Sequence, residues 1–246
     1  MRNIWTIAKR EYKLYFNTPI AYIVAFIILL ILGILFYGNL QAGMMQGYAP
    51  GVEVIMGPLV TLFLFGVPAI TMRLLAEEQR MGTIELLLTA PVRDYELVVG
   101  KWLGGWLFLL TIIAVTLIFP FVLNTMVEPG IDQGPLMTGY LGLLLLSAAL
   151  VAIGVAISAL FSNQIAAFIT TLGVVIFFWL VTGLVVRVMG SLGGVSEWIR
   201  YLDLSAPYNN NLLRGVLELR DLAYYLSVTA VALFLGTVSV EIRRWG

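Results

Sequence analysis

Six stretches of this chain are each about 20 residues or longer and almost free of charge, at about 20–40, 54–73, 98–123, 136–160, 165–187 and 221–240. A helix of that length crosses about 30 Å of hydrocarbon. The fold expected is therefore an all-α membrane protein with six transmembrane helices. Composition agrees, since 61% of residues are hydrophobic and 11% charged, against about 45–50% and about 25% in soluble domains. No internal repeat or linker divides the chain, so 1–246 reads as a single transmembrane domain.

The same composition excludes several function classes. A formal net charge of +0 gives no basic surplus for nucleic acid. With Cys 0 and His 0 there is no disulfide framework, thiolate chemistry or common transition-metal site. An intramembrane hydrolase has neither these residues nor paired acids at mid-span to work with. Asn124, Glu128 and Asp132 make the second outer loop acidic without a metal-ligand constellation.

Lys and Arg near the span ends set orientation. Arg2, Lys9, Arg10 and Lys13, then Arg73, Arg80, Arg93 and Lys101, then Arg243 and Arg244 fall on one side. The opposite loops at 41–52 and 124–135 carry none, and Arg187, Arg200, Arg214 and Arg220 are confined to the last loop. Both termini are expected in the cytoplasm, with the first apolar run kept as an anchor rather than cleaved as a signal peptide.

Between the second and third spans lies a charged insertion, Glu77 to Val92, within the segment 74–92. Glu77, Glu78, Arg80 and Glu85 cannot rest in hydrocarbon, where each charge at mid-depth costs about 2.5–3.5 kcal/mol. Gly82 can end the helix arriving from the second span, Thr83 can cap a new one, and Pro91 limits its length. On that short helix Ile84, Leu87 and Leu88 share one face. An apolar face with acidic neighbours on a cytoplasmic handle suggests docking onto another protein.

Residues 2–17 divide into two faces at 100° per residue. Arg2, Asn3, Thr6, Lys9, Arg10, Lys13 and Asn17 take one; Ile4, Trp5, Ile7, Ala8, Tyr12, Leu14, Tyr15 and Phe16 take the other. The expectation over 1–18 is an amphipathic interfacial helix with its basic face toward headgroups, separated from the first span by Pro19. Glu11 falls within the apolar face and requires either a basic partner, Arg80 or Arg73, or an escape to water.

Within the second span, Pro58 and Pro68 each remove a backbone hydrogen bond and are expected to kink it. Glu53 at its start is either solvated or part of an outer vestibule. Trp102 and Trp106 lie one turn apart near the inner interface, where indoles anchor; substrate stacking is the alternative. Small residues in spans four and five, among them Gly142, Ser147, Gly154, Ser158, Ala167 and Gly173, allow close helix approach. The link Phe161-Ser162-Asn163-Gln164 makes these two spans antiparallel neighbours. The segment 188–220 is too polar for a seventh span; Ser196 can cap a short helix through Tyr201, and a second is expected from about Asn211 into Leu219.

The order Glu77-Glu78-x-Arg80-x-Gly82-Thr83-Ile84-Glu85-x-Leu87-Leu88-x-x-Pro91-Val92 resembles the coupling-helix region of the type-2 ABC-exporter membrane subunits. Lys9-Arg10-Glu11 with Phe16 is similar to that family's N-terminal helix. Arg214-Gly215-Val216-Leu217 with Arg220-Asp221 and Tyr224-Tyr225, then Glu241 with Arg243-Arg244-Trp245, resemble the subgroup of gliding-motility and multi-copper-enzyme-maturation permeases. The resemblance covers nearly the whole chain. It implies that Glu77, Glu78, Arg80, Gly82, Thr83, Ile84, Glu85, Leu87, Leu88 and Pro91 contact a separate ATPase subunit, and that 188–220 forms short, partly re-entrant helices that roof an exit route or simply pack on the surface. It further implies a bacterial inner-membrane location, a second permease subunit, identical or related, and room for an auxiliary extracytoplasmic protein.

The chain carries no Gly-x-x-x-x-Gly-Lys-Ser/Thr phosphate loop. ATP and Mg belong, on this reading, to the partner ATPase, and the chain itself holds no cofactor and is not an enzyme. The expected function is the permease subunit of an ATP-driven exporter. A secondary transporter would place ionisable groups within its spans, and the apolar runs are almost free of them. A membrane scaffold that recruits a cytoplasmic complex through the same handle is the third reading. The substrate is not specified; the apolar spans lean toward an amphiphile.

Overall fold

A computed structural model describes residues 2–47, 49–83, 92–128, 130–181 and 202–245, and among them there is no strand. The helices in chain order are α1 (Arg2–Phe16), α2 (Pro19–Gln46), α3 (Glu53–Thr71), α4 (Ala76–Arg80), α5 (Asp94–Thr116), α6 (Ile118–Met126), α7 (Gln133–Ser158), α8 (Gln164–Ile176), α9 (Ala206–Asn210) and α10 (Leu219–Trp245). A π-helical turn, Phe177–Val181, prolongs α8, and a 3₁₀ turn, Leu212–Arg214, follows α9.

Five helical stretches are long and apolar enough to cross a membrane: Pro19–Gln46, Glu53–Arg80, Asp94–Met126, Gln133–Ser158 and Leu219–Arg243. Of the run expected at 165–187, the described part is a shorter apolar helix, Gln164–Leu180; the remainder lies outside the described residues. α7 forms the centre of the bundle. Of its most apolar window 72% is buried, against 22% for α2 and 28% for α10, whose outward faces expose Ile23, Phe26, Leu30, Phe234 and Leu235.

One end of the bundle gathers α1, α4, the C-terminal end of α7 and Arg243, whose guanidinium donates to the Leu160 carbonyl at 2.9 Å. At the other end the backbone N–H of Leu204 donates to the Phe178 carbonyl at 3.0 Å. There Asp132 caps α7 by accepting from the N–H of Gly134, and Asn124 accepts from that of Ile131. These two polar residues of the connection between α6 and α7 are therefore occupied in ordering the chain.

Pro58 and Pro68 lie inside α3, which is one helix from Glu53 to Thr71, and the chain leaves the helix at 72–75, before α4. One expectation changes. The helix expected from Asn211 into Leu219 is instead the earlier α9, which ends where Asn211 turns its amide onto Asp221 at 3.0 Å. Gly215, at φ +85°, stops the following 3₁₀ turn, because a left-handed residue cannot continue a right-handed helix. The helix expected between Ser196 and Tyr201 lies outside the described residues.

α1 lies against α5, and three bonds succeed one another in the same order along both helices: Asn3 to Glu96, Glu11 to Lys101 and Tyr12 to Thr111. The two helices therefore run side by side in the same direction. The stretch Asp94–Met126 holds 33 residues, about 50 Å of helix at 1.5 Å per residue, well beyond the roughly 30 Å of a hydrocarbon core. Its first turns are thus free to carry α1. The apolar face of α1 goes largely to protein: Ala8 and Tyr15 are buried and Ile7, Tyr12 and Phe16 half-buried, while Trp5 and Leu14 stay exposed.

Candidate functional site at the root of the handle

Gly100 and Gly104, four residues apart on α5, allow the close approach of α1. A Cβ at Gly100 would lie 2.8 Å from Ile7 Cβ, and one at Gly104 would lie 2.5 Å from Glu11 Cβ and 3.0 Å from the Ala8 carbonyl oxygen. Any larger residue would force the helices apart. Small residues at this spacing form the groove by which apolar helices come together, and Lys101 sits within it.

Lys101 is 3% exposed and its ammonium joins three elements. Nζ donates to Glu11 Oε2 of α1 at 3.1 Å and to Glu78 Oε1 of α4 at 3.0 Å. The lysine and its two carboxylates span 90 residues of sequence between Glu11 and Lys101. Two acids against one base leave the cluster with an excess of negative charge, and Glu78 Oε2 is buried without a partner among the described residues.

This geometry corrects the partner expected for Glu11. Neither Arg80 nor Arg73 reaches it in that role. Arg80 closes α4 and is exposed, while the Arg73 guanidinium lies 4.7 Å from the centre of the Tyr15 ring. Glu11 faces the helix on which α1 packs, so its partner comes from α5. Tyr15 donates to the Ile70 carbonyl at 3.0 Å and stacks on Phe108 at 4.8 Å. Burial, and then the neighbouring Glu11 charge, push its phenol far above the usual range, so it remains a neutral donor.

The chain break between α3 and α4 is fastened to the end of α7. Ser158 Oγ accepts from the N–H groups of Leu75 and Ala76, both at 3.0 Å, and donates to the Met72 carbonyl at 3.2 Å. Gln79 Nε2 donates to the Ala159 carbonyl at 2.7 Å. One hydroxyl thereby satisfies two donors that the start of α4 would otherwise leave unpaired.

Of the residues singled out in the handle, Glu77 is half-buried, Glu78 is bound to Lys101, and Arg80 is exposed. Gly82, at φ +68°, ends the helix as expected. Thr83 Oγ1 donates to the Glu78 carbonyl at 3.3 Å. Ile84, Glu85, Leu87, Leu88 and Pro91 fall outside the described residues. Between α1 and the handle is a cavity of about 470 Å³ whose lining includes three acids, Glu11, Glu77 and Glu78, and three bases, Arg10, Arg73 and Lys101.

Trp102 and Trp106, one turn apart on α5, are half-buried. Their rings stack 5.5 Å apart, nearly parallel at 7°. Trp102 donates to the Ala148 carbonyl at 2.9 Å, and Trp106 to Ser147 Oγ and the Leu144 carbonyl. They bind α5 to α7 within the bundle. Small side chains on α7 leave its carbonyls open to a second donor.

Sequence reasoning passed over Lys101, Gly100, Gly104 and Ser158 as functional residues. Two signals were present: a Gly-x-x-x-Gly at 100–104, and a lysine inside an apolar run, which demands an acidic partner just as Glu11 demanded a basic one. Ser158 carried no signal, because a serine near a helix end has many uses.

The model of the ABC-2 family transporter protein matches residues 5–241. The chain belongs to that family. Membership points to the membrane permease component of an ABC transporter, a class without a nucleotide-binding domain of its own, and it implies an ABC ATPase partner and a bilayer. Comparison with curated proteins gives no match.

Proposed function

We propose that this chain is the permease subunit of an ATP-driven exporter in the bacterial inner membrane, crossing it six times with both termini and the handle in the cytoplasm. α8 and the segment following it would supply the sixth crossing. Two such subunits, identical or related, would pair with two ATPase subunits that hold ATP and Mg, with room for an auxiliary extracytoplasmic protein. Segment 188–220 would lie on the outer side, and the tail motifs favour the gliding-motility and multi-copper-enzyme-maturation subgroup.

The observation that carries this reading is the Glu11–Lys101–Glu78 cluster. A handle merely looped between two spans would need no buried ion pair at its root. Here Glu78 is tied through Lys101 to both α5 and α1, and Ser158 and Gln79 tie the same root to α7. A push on Ile84, Leu87 and Leu88 would therefore move α3, α5 and α1 together and shift the bundle about α7. Glu77, Arg80, Gly82, Thr83, Glu85 and Pro91 would shape and orient the docking surface, and Glu78 would join that surface to the bundle. Charged rims select partners more than they add affinity.

A secondary transporter also uses buried ionisable groups. Lys101, however, lies about 10 Å along a helix of about 50 Å, at the handle end and not at mid-depth, which favours a coupling role over an ion pathway. The test is affinity purification from the native host, wild type beside Glu85→Arg, with mass spectrometry and an ATPase assay. The expected result is an ABC ATPase that accompanies the wild type and is lost from a folded Glu85→Arg. No ATPase with either chain would overturn the proposal in favour of a scaffold or a secondary transporter.

A further inference from the structure

On the side of α1 opposite the handle cavity, an apolar trough of about 610 Å³ runs along the seam between α1 and α5. Leu107, Leu110 and Ala114 line it from α5, Trp5 from α1, and Lys9 and Lys13 stand over it one helical turn apart. Tyr12 and Thr111, which also border it, satisfy each other at 3.0 Å. No acidic residue lines the trough. Both lysines are exposed, and among the described residues neither has an acidic partner.

Two exposed ammonium groups above an apolar trough are complementary to one kind of molecule, an amphiphile with an anionic head and an acyl tail. Trp5, 59% exposed at the rim, is the residue type that settles at the boundary between headgroups and chains. We propose that this seam is a binding site for an anionic glycerophospholipid. Lys9 and Lys13 hold its phosphate, and an acyl chain lies against Leu107, Leu110 and Ala114. The lipid then closes the open side of the α1–α5 seam, whose other side is held by Lys101. The site rests on the membrane location implied by the family and not on ATPase coupling, so a host purification without an ATPase leaves it standing.

The experiment uses the full chain in nanodiscs of phosphatidylcholine with and without phosphatidylglycerol, with retained lipid counted by native mass spectrometry. Wild type is expected to retain phosphatidylglycerol in preference to phosphatidylcholine. At about the strength of one basic contact each, Lys9→Gln lowers retention about 5-fold and the double variant with Lys13→Gln about 25-fold. Ala114→Trp places an indole in the path of the acyl chain while leaving both lysines in place, and it lowers retention; it also supplies the readout if the double variant does not fold. Arg2→Gln removes a charge of α1 outside the trough and leaves retention unchanged. Equal retention of the two lipids, undiminished phosphatidylglycerol in the folded double variant or in Ala114→Trp, or an equal loss in Arg2→Gln would overturn the proposal, the last by showing diffuse surface attraction instead of a site.

Discussion

At the handle end of the bundle three elements that are distant in sequence meet on one buried lysine, whereas at the opposite end the segment 202–215 is seated by hydroxyl-to-carbonyl bonds and buried rings. Lys101 holds Glu11 and Glu78 at 3.1 and 3.0 Å. Across the molecule, Thr138 donates to the Leu212 carbonyl at 2.6 Å, Tyr225 donates to that of Leu204 at 2.9 Å, and Tyr208 is fully buried. A neutral bond of the second kind contributes about 0.5–1.5 kcal/mol. Removing one partner of a buried ionic cluster costs about 3–5 kcal/mol, because the charges left behind stay buried. The fold is therefore least tolerant of partial change at the handle end. The handle end holds together as a set, while the far end loosens one contact at a time.

The sharpest test of this contrast is Lys101→Met. It strands two buried carboxylates and is expected to destabilise the chain by about 3–5 kcal/mol, measured as thermal unfolding in detergent. The triple variant Glu11→Leu, Lys101→Met, Glu78→Leu should recover most of that loss; if the single and triple variants melt together, the ends do not differ in the way described. Next in size is Gly104→Leu, in which the added side chain collides with Glu11 and Ala8. Overpacking of this kind costs about 1–3 kcal/mol, and limited proteolysis should cut α1 from the bundle sooner than in wild type. Unchanged protection of α1 would mean that α1 is held by its ion pair alone.

Ser158→Ala leaves the N–H groups of Leu75 and Ala76 without their acceptor, a loss of about 1–3 kcal/mol. Hydrogen exchange at those two amides should quicken while α10 stays protected. A uniform rise across the whole chain would count against a local fastening. The smallest effects belong to the far end. Tyr225→Phe removes its bond to Leu204 and should cost about 0.5–1.5 kcal/mol. Tyr208→Phe should leave the melting temperature unchanged or raise it, since that hydroxyl is buried without a partner among the described residues. A large loss from Tyr208→Phe would make the far end as intolerant as the handle end.

Much of the local structure was legible in the residues. The long apolar runs foretold the five long helices, the two-faced pattern of residues 2–17 foretold α1, and Gly82 foretold the end of α4. Each depends on neighbours within a few turns, which is what sequence periodicity records. The helix expected from about Asn211 was misplaced, and what opposes it is Asp221, ten residues later, which takes the Asn211 amide. Of the candidate site, the place of the handle and the need of Glu11 for a cation were readable, but the cation was not.

Residue pattern alone is enough to make the chain helical and rich in membrane-length apolar runs, to interrupt it with a charged handle, and to leave one carboxylate on the apolar face of α1. The tertiary structure alone decided that this carboxylate faces Lys101 and not Arg73 or Arg80, that the two indoles bond to α7, and that Ser158 fastens the handle. The physical reason is register. A helix face is set by residues three and four apart, but which side chain of another helix meets it depends on how far the two have slid along each other. Here the register is the one that seats Ile7 over Gly100 and Glu11 over Gly104.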